Sequence, residues 1–318
     1  METFIAIILV IIMIIYDSNI IEKFTKNKET FYTPYVVPET GIVSANIVPE
    51  NILPENNPLL INKTHIWIFI KIEYSARSWS NEINRKQPIT KLEQLCIDTV
   101  RRHMPTYNIH VITQKNIPKI IPEHLKNIEA CNSFYMTYNY IKYAILNKYG
   151  GIWLPSSTII VKPLRDMINI RRNKLITFSI NNTQLVENKG LSDNIISCNK
   201  NNLLIEEMLS FLKDKINSFQ NDILFTKEIN RYFNKLLLNY PHYHSDQEQL
   251  EINNSTINNS HLFSNQISIN HINKNIVNIN LDDIRNNPKY SFLLHMSREN
   301  ILNSNMLVGR IIRQSLSS

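Results

Sequence analysis

Two histidines and an aspartate alternate with other residues at His242, His244 and Asp246. Side chains at every second position of an extended segment point to the same face, so these three groups could gather around one ion. Imidazole and carboxylate ligands together suit a divalent metal. A polar loop between two helices is the simpler interpretation of the same residues, and we favour it.

Gly150 and Gly151 are adjacent in a chain that has only 5 glycines. They follow an amphipathic segment and precede an apolar one. This pattern predicts a helix that ends on a residue with positive φ and turns at once into a strand. The prediction explains the two glycines but not the residues around them.

Motifs of several other enzyme classes are missing from the sequence. It has no GxSxG, no GxGxxG, no HExxH and no phosphate-binding glycine-rich loop, so nothing supports a hydrolase, a dehydrogenase or a kinase. The cysteines Cys96, Cys131 and Cys198 lack CxxC or zinc-finger spacing. We therefore expect neither a disulfide framework nor a thiolate metal site, and this cysteine usage suits a reducing compartment.

The overall charge is positive, with a net charge of +7, but the basic residues are scattered along the chain. No nucleic-acid-binding motif accompanies them, so we expect no nucleic-acid partner. The hydrophobic fraction of 43% and the charged fraction of 19% are typical of a globular protein.

The elements that must position these residues begin with an apolar run rich in β-branched and aromatic residues at 66–72, which predicts a buried strand. Apolar residues at three-to-four spacing predict a helix over 89–103. Alternation over 107–113 predicts a second strand, with Tyr107, Ile109 and Val111 on one face. Together they form a βαβ unit.

The rest of the chain continues the same alternation of helices and strands. We expect a helix over 133–148 and then two strands within 152–161, on either side of Pro155. The sequence thus predicts an α/β fold with a Rossmann-like mixed sheet flanked by helices. The remaining predicted elements are strands at 175–180 and 194–198 and helices at 203–216, 222–238 and 298–315.

The N-terminus carries an unbroken apolar run at 4–16, shorter than a standard membrane span. A secretory signal and the first helix of a soluble core are the alternatives, but the run has no cleavage pattern after it and no polar face. We expect an uncleaved membrane anchor over 1–21, a proline-containing linker or stem over 22–63, and one domain over 64–318. Lysines at 23, 26 and 28 favour a body on the cytosolic side.

The residues around the two glycines carry a family resemblance. The string YIKYAILNKYGGIWL at 140–154, followed by VKPL at 161–164, resembles the central block of the DxD glycosyltransferase family 32-like proteins. That family includes the yeast outer-chain mannosyltransferase and relatives in capsular polysaccharide synthesis. The chain is also similar to divergent members carried by large DNA viruses, which suits its abundant Ile and Asn.

The resemblance implies a GT-A-like fold and the transfer of a hexose from a nucleotide sugar to a glycan or protein acceptor. It also implies a nucleotide-sugar site, and the acidic residues of the family are replaced within it. The positions of the DxD motif read Pro155, Ser156 and Ser157, and the earlier acidic position reads Asn139. The basic position after it reads Lys142.

The roles that the resemblance transfers to this chain fall into two groups. Asp246 and His295 are the candidates for catalysis, by analogy with a late Asp-Gln pair and a C-terminal histidine of such transferases. The candidates for binding the nucleotide sugar are Asn139, Lys142, Gly150, Gly151, Ser156, Ser157 and Lys162.

A divalent metal, manganese in such enzymes, is doubtful here because serine is a weak ligand and proline offers no side-chain oxygen. Three interpretations stay open. The protein is a non-catalytic relative that binds sugar or a partner, or a metal-free transferase that uses Lys142, Lys162 or Arg165 against the diphosphate. Alternatively, its metal ligands come from elsewhere, with His242, His244 and Asp246 as weak candidates.

Overall fold

The computed structural model describes residues 64–70, 89–164, 175–179, 191–216, 218, 222–245, 251–252, 255–256, 259–266 and 275–318. All of them lie in one compact unit, Ile47–Ser318. The predicted anchor at 1–21 and linker at 22–63 lie outside these residues. Within the described ranges, no helix combines the length and the apolar character that a membrane crossing requires.

The regular elements alternate along most of the chain. The strands are β1 (His65–Phe69), β2 (Asn108–Ile112), β3 (Gly151–Pro155), β4 (Thr158–Ile160), β5 (Leu175–Ser179), β6 (Leu191–Cys198), β7 (His242–Ser245), β8 (Glu251–Ile252), β9 (Ser255–Thr256) and β10 (Ile276–Asn278). The helices are α1 (Lys91–His103), α2 (Ile117–Ile120), α3 (Leu125–Glu129), α4 (Phe134–Tyr149), α5 (Leu203–Lys215), α6 (Asp222–Leu237), α7 (Asn259–Leu262), α8 (Leu281–Asn286), α9 (Arg298–Asn303) and α10 (Leu307–Ser317). Short 3-10 helices occupy Pro122–His124 and Ser291–His295.

The central sheet has six strands in the order β2-β1-β3-β6-β5-β7. β1 runs parallel to β2 and β3, whereas β6 is antiparallel to both of its neighbours, β3 and β5. The predicted α/β architecture, a Rossmann-like mixed sheet flanked by helices, is confirmed. Outside this sheet, β4 pairs with β10 and β8 pairs with β9, both antiparallel.

Helix α1 begins at a reciprocal cap. The Thr90 side chain accepts a hydrogen bond from the Glu93 backbone N–H, and the Glu93 carboxylate accepts one from the Thr90 backbone N–H. Such a capping box satisfies two of the N–H groups that a helix leaves unpaired at its start. The helix then buries the apolar positions that the sequence predicted, including Leu92, Leu95 and Val100.

Helix α4 lies between the sheet and two further helices, so it is buried on more sides than its predicted apolar face. Ser133 caps its N-terminus through the Met136 N–H. Its end matches the prediction, because Gly150 has φ +65° and Gly151 has φ +100°. A Cβ at Gly150 would collide with the backbone nitrogen of Lys200, and one at Gly151 with the carbonyl oxygen of His65.

Three apolar clusters fill the interior of the part of the chain that the structure describes. One face of the sheet, with Trp67, Phe69 and Trp153, packs against α4, α5 and α6. The other face, with Ile66, Ile68 and Leu154, packs against α1 residues Ile97 and Val100. The far side of α1 packs against β4, β10, α9 and α10 in the third cluster. Helix α1 is thus a shared layer between the sheet and the C-terminal elements.

Two sequence predictions need correction. The helix predicted over 298–315 is two helices, α9 and α10, separated by residues 304–306, where Ser304 and Met306 have ψ near 150°. The segment that begins at His242 is not a loop between helices but strand β7, which pairs in parallel with β5.

Candidate active site

The motif positions lie where parallel strands end. Pro155 is the last residue of β3 and pairs with Phe69 at the end of β1. Ser156 and Ser157 form the turn between β3 and β4, called the β3–β4 turn from here on. In α/β proteins ligands bind at the carboxyl ends of the parallel strands, so this edge of the sheet is the candidate active site.

Ser156 points into the protein. Its hydroxyl donates a hydrogen bond of 2.7 Å to Glu93 Oε1. The other carboxylate oxygen of Glu93 accepts hydrogen bonds from the Thr90 backbone N–H at 3.1 Å and the Thr90 hydroxyl at 2.9 Å. Glu93 is only 3% exposed, so this carboxylate is buried and held by three neutral donors.

Glu93 is a residue that our sequence analysis missed. The spacing of Thr90 and Glu93 is that of a capping box and predicts the helix start. Its bond to Ser156 joins residues 63 positions apart, which no local pattern shows.

Ser157 also points inward. Its hydroxyl donates to the carbonyl oxygen of Ile279 at 2.7 Å. The Ile279 N–H in turn donates to the Ser157 carbonyl oxygen at 3.2 Å. This bond lies one position beyond the last residue pair of β4 and β10, which is Thr158 with Asn278. Both hydroxyls of the β3–β4 turn therefore stabilise the fold.

The side chains of the β3–β4 turn supply no carboxylate to a divalent metal. Pro155 has no side-chain oxygen, and the hydroxyls of Ser156 and Ser157 donate their protons to oxygen atoms of the protein. Across the part of the chain that the structure describes, no group of three or more His, Cys, Asp or Glu side chains could hold a metal ion.

Two of the alternative metal ligands, His242 and His244, lie in β7, the last strand in the order of the described sheet. His242 begins β7, which is separated from β3 by β6 and β5, and its Nδ1 is 3.1 Å from the Tyr240 carbonyl oxygen. His244 follows in the same strand. Asp246 and the side chain of His244 lie outside the described residues, so their roles stay predictions.

Asn139 and Lys142 are both buried in α4, three residues apart on neighbouring turns. Asn139 Nδ2 donates to the Tyr135 carbonyl at 2.9 Å. Lys142 is 1% exposed, and its Nζ lies 4.7 Å from the centroid of the Tyr143 ring. A lysine is rarely buried so completely, because transfer of an ammonium group from water into an apolar interior is costly.

The orientation of α4 is fixed against β3. Trp153 Nε1 donates to the Tyr138 hydroxyl at 2.8 Å. The Tyr138 ring also meets Trp153 edge to face, with centroids 5.5 Å apart. The N-terminal half of α4 therefore lies along the second half of β3, near the candidate active site.

The last two predicted site residues are exposed. Lys162 follows β4 by two residues, and His295 ends the 3-10 helix Ser291–His295. Arg165, the third basic residue considered, lies outside the described residues.

A family model described as capsular polysaccharide synthesis protein matches residues 14–296 of this chain. No curated protein matches.

Solved structures show distant likenesses. PaToxG glycosyltransferase is 14% identical with a TM-score of 0.35, over 55% of this chain and 70% of that one. The glycosyltransferase GlyE of Streptococcus pneumoniae TIGR4 is 12% identical with a TM-score of 0.39, over 80% of this chain and 63% of that one. Since the family model spans most of its length, the chain belongs to the capsular polysaccharide synthesis protein family.

Proposed function

We propose that this protein binds a nucleotide sugar at the candidate active site and transfers its hexose to a glycan or protein acceptor. Family membership supports this class of reaction. The observation that carries the proposal is the burial of Lys142 in α4, the helix that runs into Gly150 and Gly151. Its basic side chain is held inside the protein, on the helix that lies along β3.

We infer that the transfer is metal-independent. In this reaction negative charge builds up on the diphosphate as it leaves, and fixed positive groups can stabilise that charge. The positions of the DxD motif read Pro155, Ser156 and Ser157, so the side chains of the β3–β4 turn offer no carboxylate to a cation. Lys142 and Lys162 are the basic side chains that we assign to this role.

The test is binding and turnover with a panel of nucleotide sugars, measured with manganese and with a chelator. We expect turnover with one donor and no effect of the chelator. Lys142→Gln should reduce turnover by roughly a hundredfold, because it removes a charge from the site. Lys126→Gln is the matched control, since Lys126 is an exposed lysine on α3.

Loss of turnover on chelation would contradict the metal-free mechanism. It would direct attention to His242, His244 and Asp246 as ligands. Equal turnover in the Lys142 and Lys126 variants would remove Lys142 from the mechanism.

A second candidate function is a non-catalytic sugar-binding or structural membrane protein on the same fold. The inward hydrogen bonds of Ser156 and Ser157 favour it, because these side chains already have partners in Glu93 and the Ile279 carbonyl. Binding of a nucleotide sugar without turnover, with any acceptor, would support this function over the first.

We also infer that residues 1–21 anchor the protein in a membrane with the body on the cytosolic side. The apolar run at 4–16 and the lysines at 23, 26 and 28 support this assignment.

A further inference from the structure

Two side chains of helix α1 hold the β3–β4 turn and the strand that follows it. Glu93 Oε1 accepts the Ser156 hydroxyl at 2.7 Å. Further along the same helix, the Thr99 hydroxyl oxygen accepts a hydrogen bond of 3.0 Å from the backbone N–H of Ile160, the last residue of β4. The turn and β4 are therefore both fixed to one helix.

The Glu93 carboxylate is itself held in one position. Its second oxygen, Oε2, accepts the Thr90 backbone N–H at 3.1 Å and the Thr90 hydroxyl at 2.9 Å. Glu93 is 3% exposed, on a helix that packs against the sheet on one side and against the C-terminal elements on the other. A side chain locked in this way by packing and hydrogen bonds can orient a neighbouring group accurately.

The bond between Glu93 and Ser156 lies at the edge of the sheet where we place the ligand. Ser156 directly follows Pro155, which pairs with Phe69 at the carboxyl ends of β3 and β1. Ligands of α/β proteins bind at this edge. A shift of the turn would therefore displace a bound donor even though the Ser156 hydroxyl faces the interior.

We propose that Glu93 is a positioning residue, whose hydrogen bond to Ser156 fixes the β3–β4 turn in the conformation that binds the nucleotide sugar. This inference rests on the proposed function. A turn with carboxylates can be ordered by a bound cation, but this turn has none. The bond from Glu93 orders the turn before the ligand arrives, and a preorganised site loses less conformational entropy on binding.

The hydrogen bond, and not the negative charge, is the feature that acts on the turn. Glu93→Gln removes the charge but keeps the shape of the side chain. Its amide oxygen can accept both bonds from Thr90, while its amide NH₂ donates to Ser156 Oγ. Glu93→Ala and Ser156→Ala each remove this bond altogether. The glutamine variant should therefore behave like the wild type, whereas the two alanine variants should not.

The first measurement needs no ligand. Hydrogen–deuterium exchange of the full-length protein in detergent, measured by mass spectrometry on peptides that cover residues 153–160, reports how often the turn opens. We expect exchange there to rise roughly tenfold in Glu93→Ala and Ser156→Ala, because each loses the bond that closes the turn. Glu93→Gln should exchange at the wild-type rate.

A matched control separates this effect from a general loss of stability. Asn202 caps α5 through the N–H groups of Leu204 and Ile205. It lies at the opposite end of the sheet, shortly after Cys198, which pairs with Gly151 at the start of β3. Asn202→Ala should lower the melting temperature without raising exchange in the turn.

The second measurement is the affinity for the donor that binds best in the nucleotide-sugar panel, by isothermal titration calorimetry. Glu93→Ala and Ser156→Ala should each raise Kd by roughly tenfold or more, because a small displacement of a site is costly. The double variant should be no weaker than the single variants, since both remove the same bond. Glu93→Gln should stay within about threefold of the wild type, and Asn202→Ala should leave Kd unchanged.

A folded Ser156→Ala variant with the exchange rate or the donor affinity of the wild type would overturn the proposal. An equal loss in Glu93→Gln and Glu93→Ala would also overturn it, because the charge would then be the active feature. If circular dichroism shows that Glu93→Ala does not fold, Ser156→Ala decides the question, since it leaves the cap of α1 in place. A wild-type protein that binds no donor would contradict the proposed function instead, and the exchange measurement would still decide whether Glu93 positions the turn.

Discussion

Glu93 supports two elements with one carboxylate. Oε2 caps the start of α1 through Thr90, and Oε1 accepts the Ser156 hydroxyl at the end of β3. A buried carboxylate needs hydrogen-bond donors to compensate for the water it has lost, and these residues provide them. Loss of the carboxylate would affect both the helix start and the β3–β4 turn.

We predict that Glu93→Ala lowers the free energy of unfolding by about 1–3 kcal/mol, because it leaves buried donors without an acceptor. Ser156→Ala should lower it less. The double variant should show a coupling of about 1 kcal/mol in a double-mutant cycle. Denaturant unfolding measures all three, with Glu129→Ala, an exposed acid at the end of α3, as control. A Glu93 variant as stable as this control would show that the carboxylate stabilises neither element.

Gly151→Val should lower the melting temperature clearly, whatever the activity. The residue has φ +100°, and a Cβ there would collide with the carbonyl oxygen of His65 in β1. A β-branched residue adopts such a φ only with strain. Asn201→Gly is a control at another position with positive φ, +56°, where glycine fits without strain and stability should change little. An unchanged melting temperature for Gly151→Val would contradict the described helix end.

At the scale of elements, the sequence predicted most helices and strands because their apolar residues repeat with the period of the element. Strand β7 was missed for a physical reason. Its residues HYHS have no apolar alternation, and it is a strand because it pairs with β5, more than 60 residues earlier in the chain. The short helices α2 and α3 were also missed, since segments of 4 and 5 residues are too short to show periodicity.

The candidate site was predicted only in part, because some of its contacts join residues that are far apart in the sequence. The glycine pair and the end of β3 follow from local pattern, whereas the partners of Ser156 and Ser157 come from α1 and from the residue after β10.

We predict that Ser157→Asp, a change toward the acidic motif, destabilises the protein. The new carboxylate would be buried beside the Ile279 carbonyl oxygen, which repels it, in place of a hydroxyl that donates to that oxygen. Ser157→Ala removes only the hydrogen bond and should lower the free energy of unfolding by about 1 kcal/mol. Thermal unfolding compares the two, and an aspartate variant at least as stable as the alanine variant would show that this position accepts a charge.

Acidification should also loosen the packing of elements. His103 bonds to Ser315 in α10, and His124 bonds to Tyr140 in α4. The pKa of each of these two histidines is lowered, mainly by burial. The unfolded chain therefore binds more protons than the folded protein just below the ordinary histidine pKa of about 6.5. Stability should be full above that pH and fall as the pH drops below it.

Urea unfolding at several pH values from about 5 to 8 tests this prediction. The double variant His103→Gln, His124→Gln should lose less stability on acidification than the wild type does. Equal slopes for the two proteins would assign the effect to other groups.

At the scale of the whole molecule, we predict that deletion of residues 1–21 releases the protein from membranes. The run at 4–16 is apolar on every face and is expected to remain on the mature chain. Fractionation compares full-length and shortened protein, and mass spectrometry determines the N-terminus of the full-length product. A full-length protein found in the soluble fraction, or one that begins near residue 20, would contradict the anchor.

The hydrogen bond from Ser157 to Ile279 spans 122 positions of the chain. During synthesis, β1, α1, β2, α4 and β3 leave the ribosome long before β10, and contacts between distant residues form slowly because a long loop must close first. The β3–β4 turn then acquires its last partner only when almost the whole chain has been made. A nascent chain can therefore bury most of its sheet while its candidate active site is still incomplete, so competence for ligand binding arrives at the end of folding.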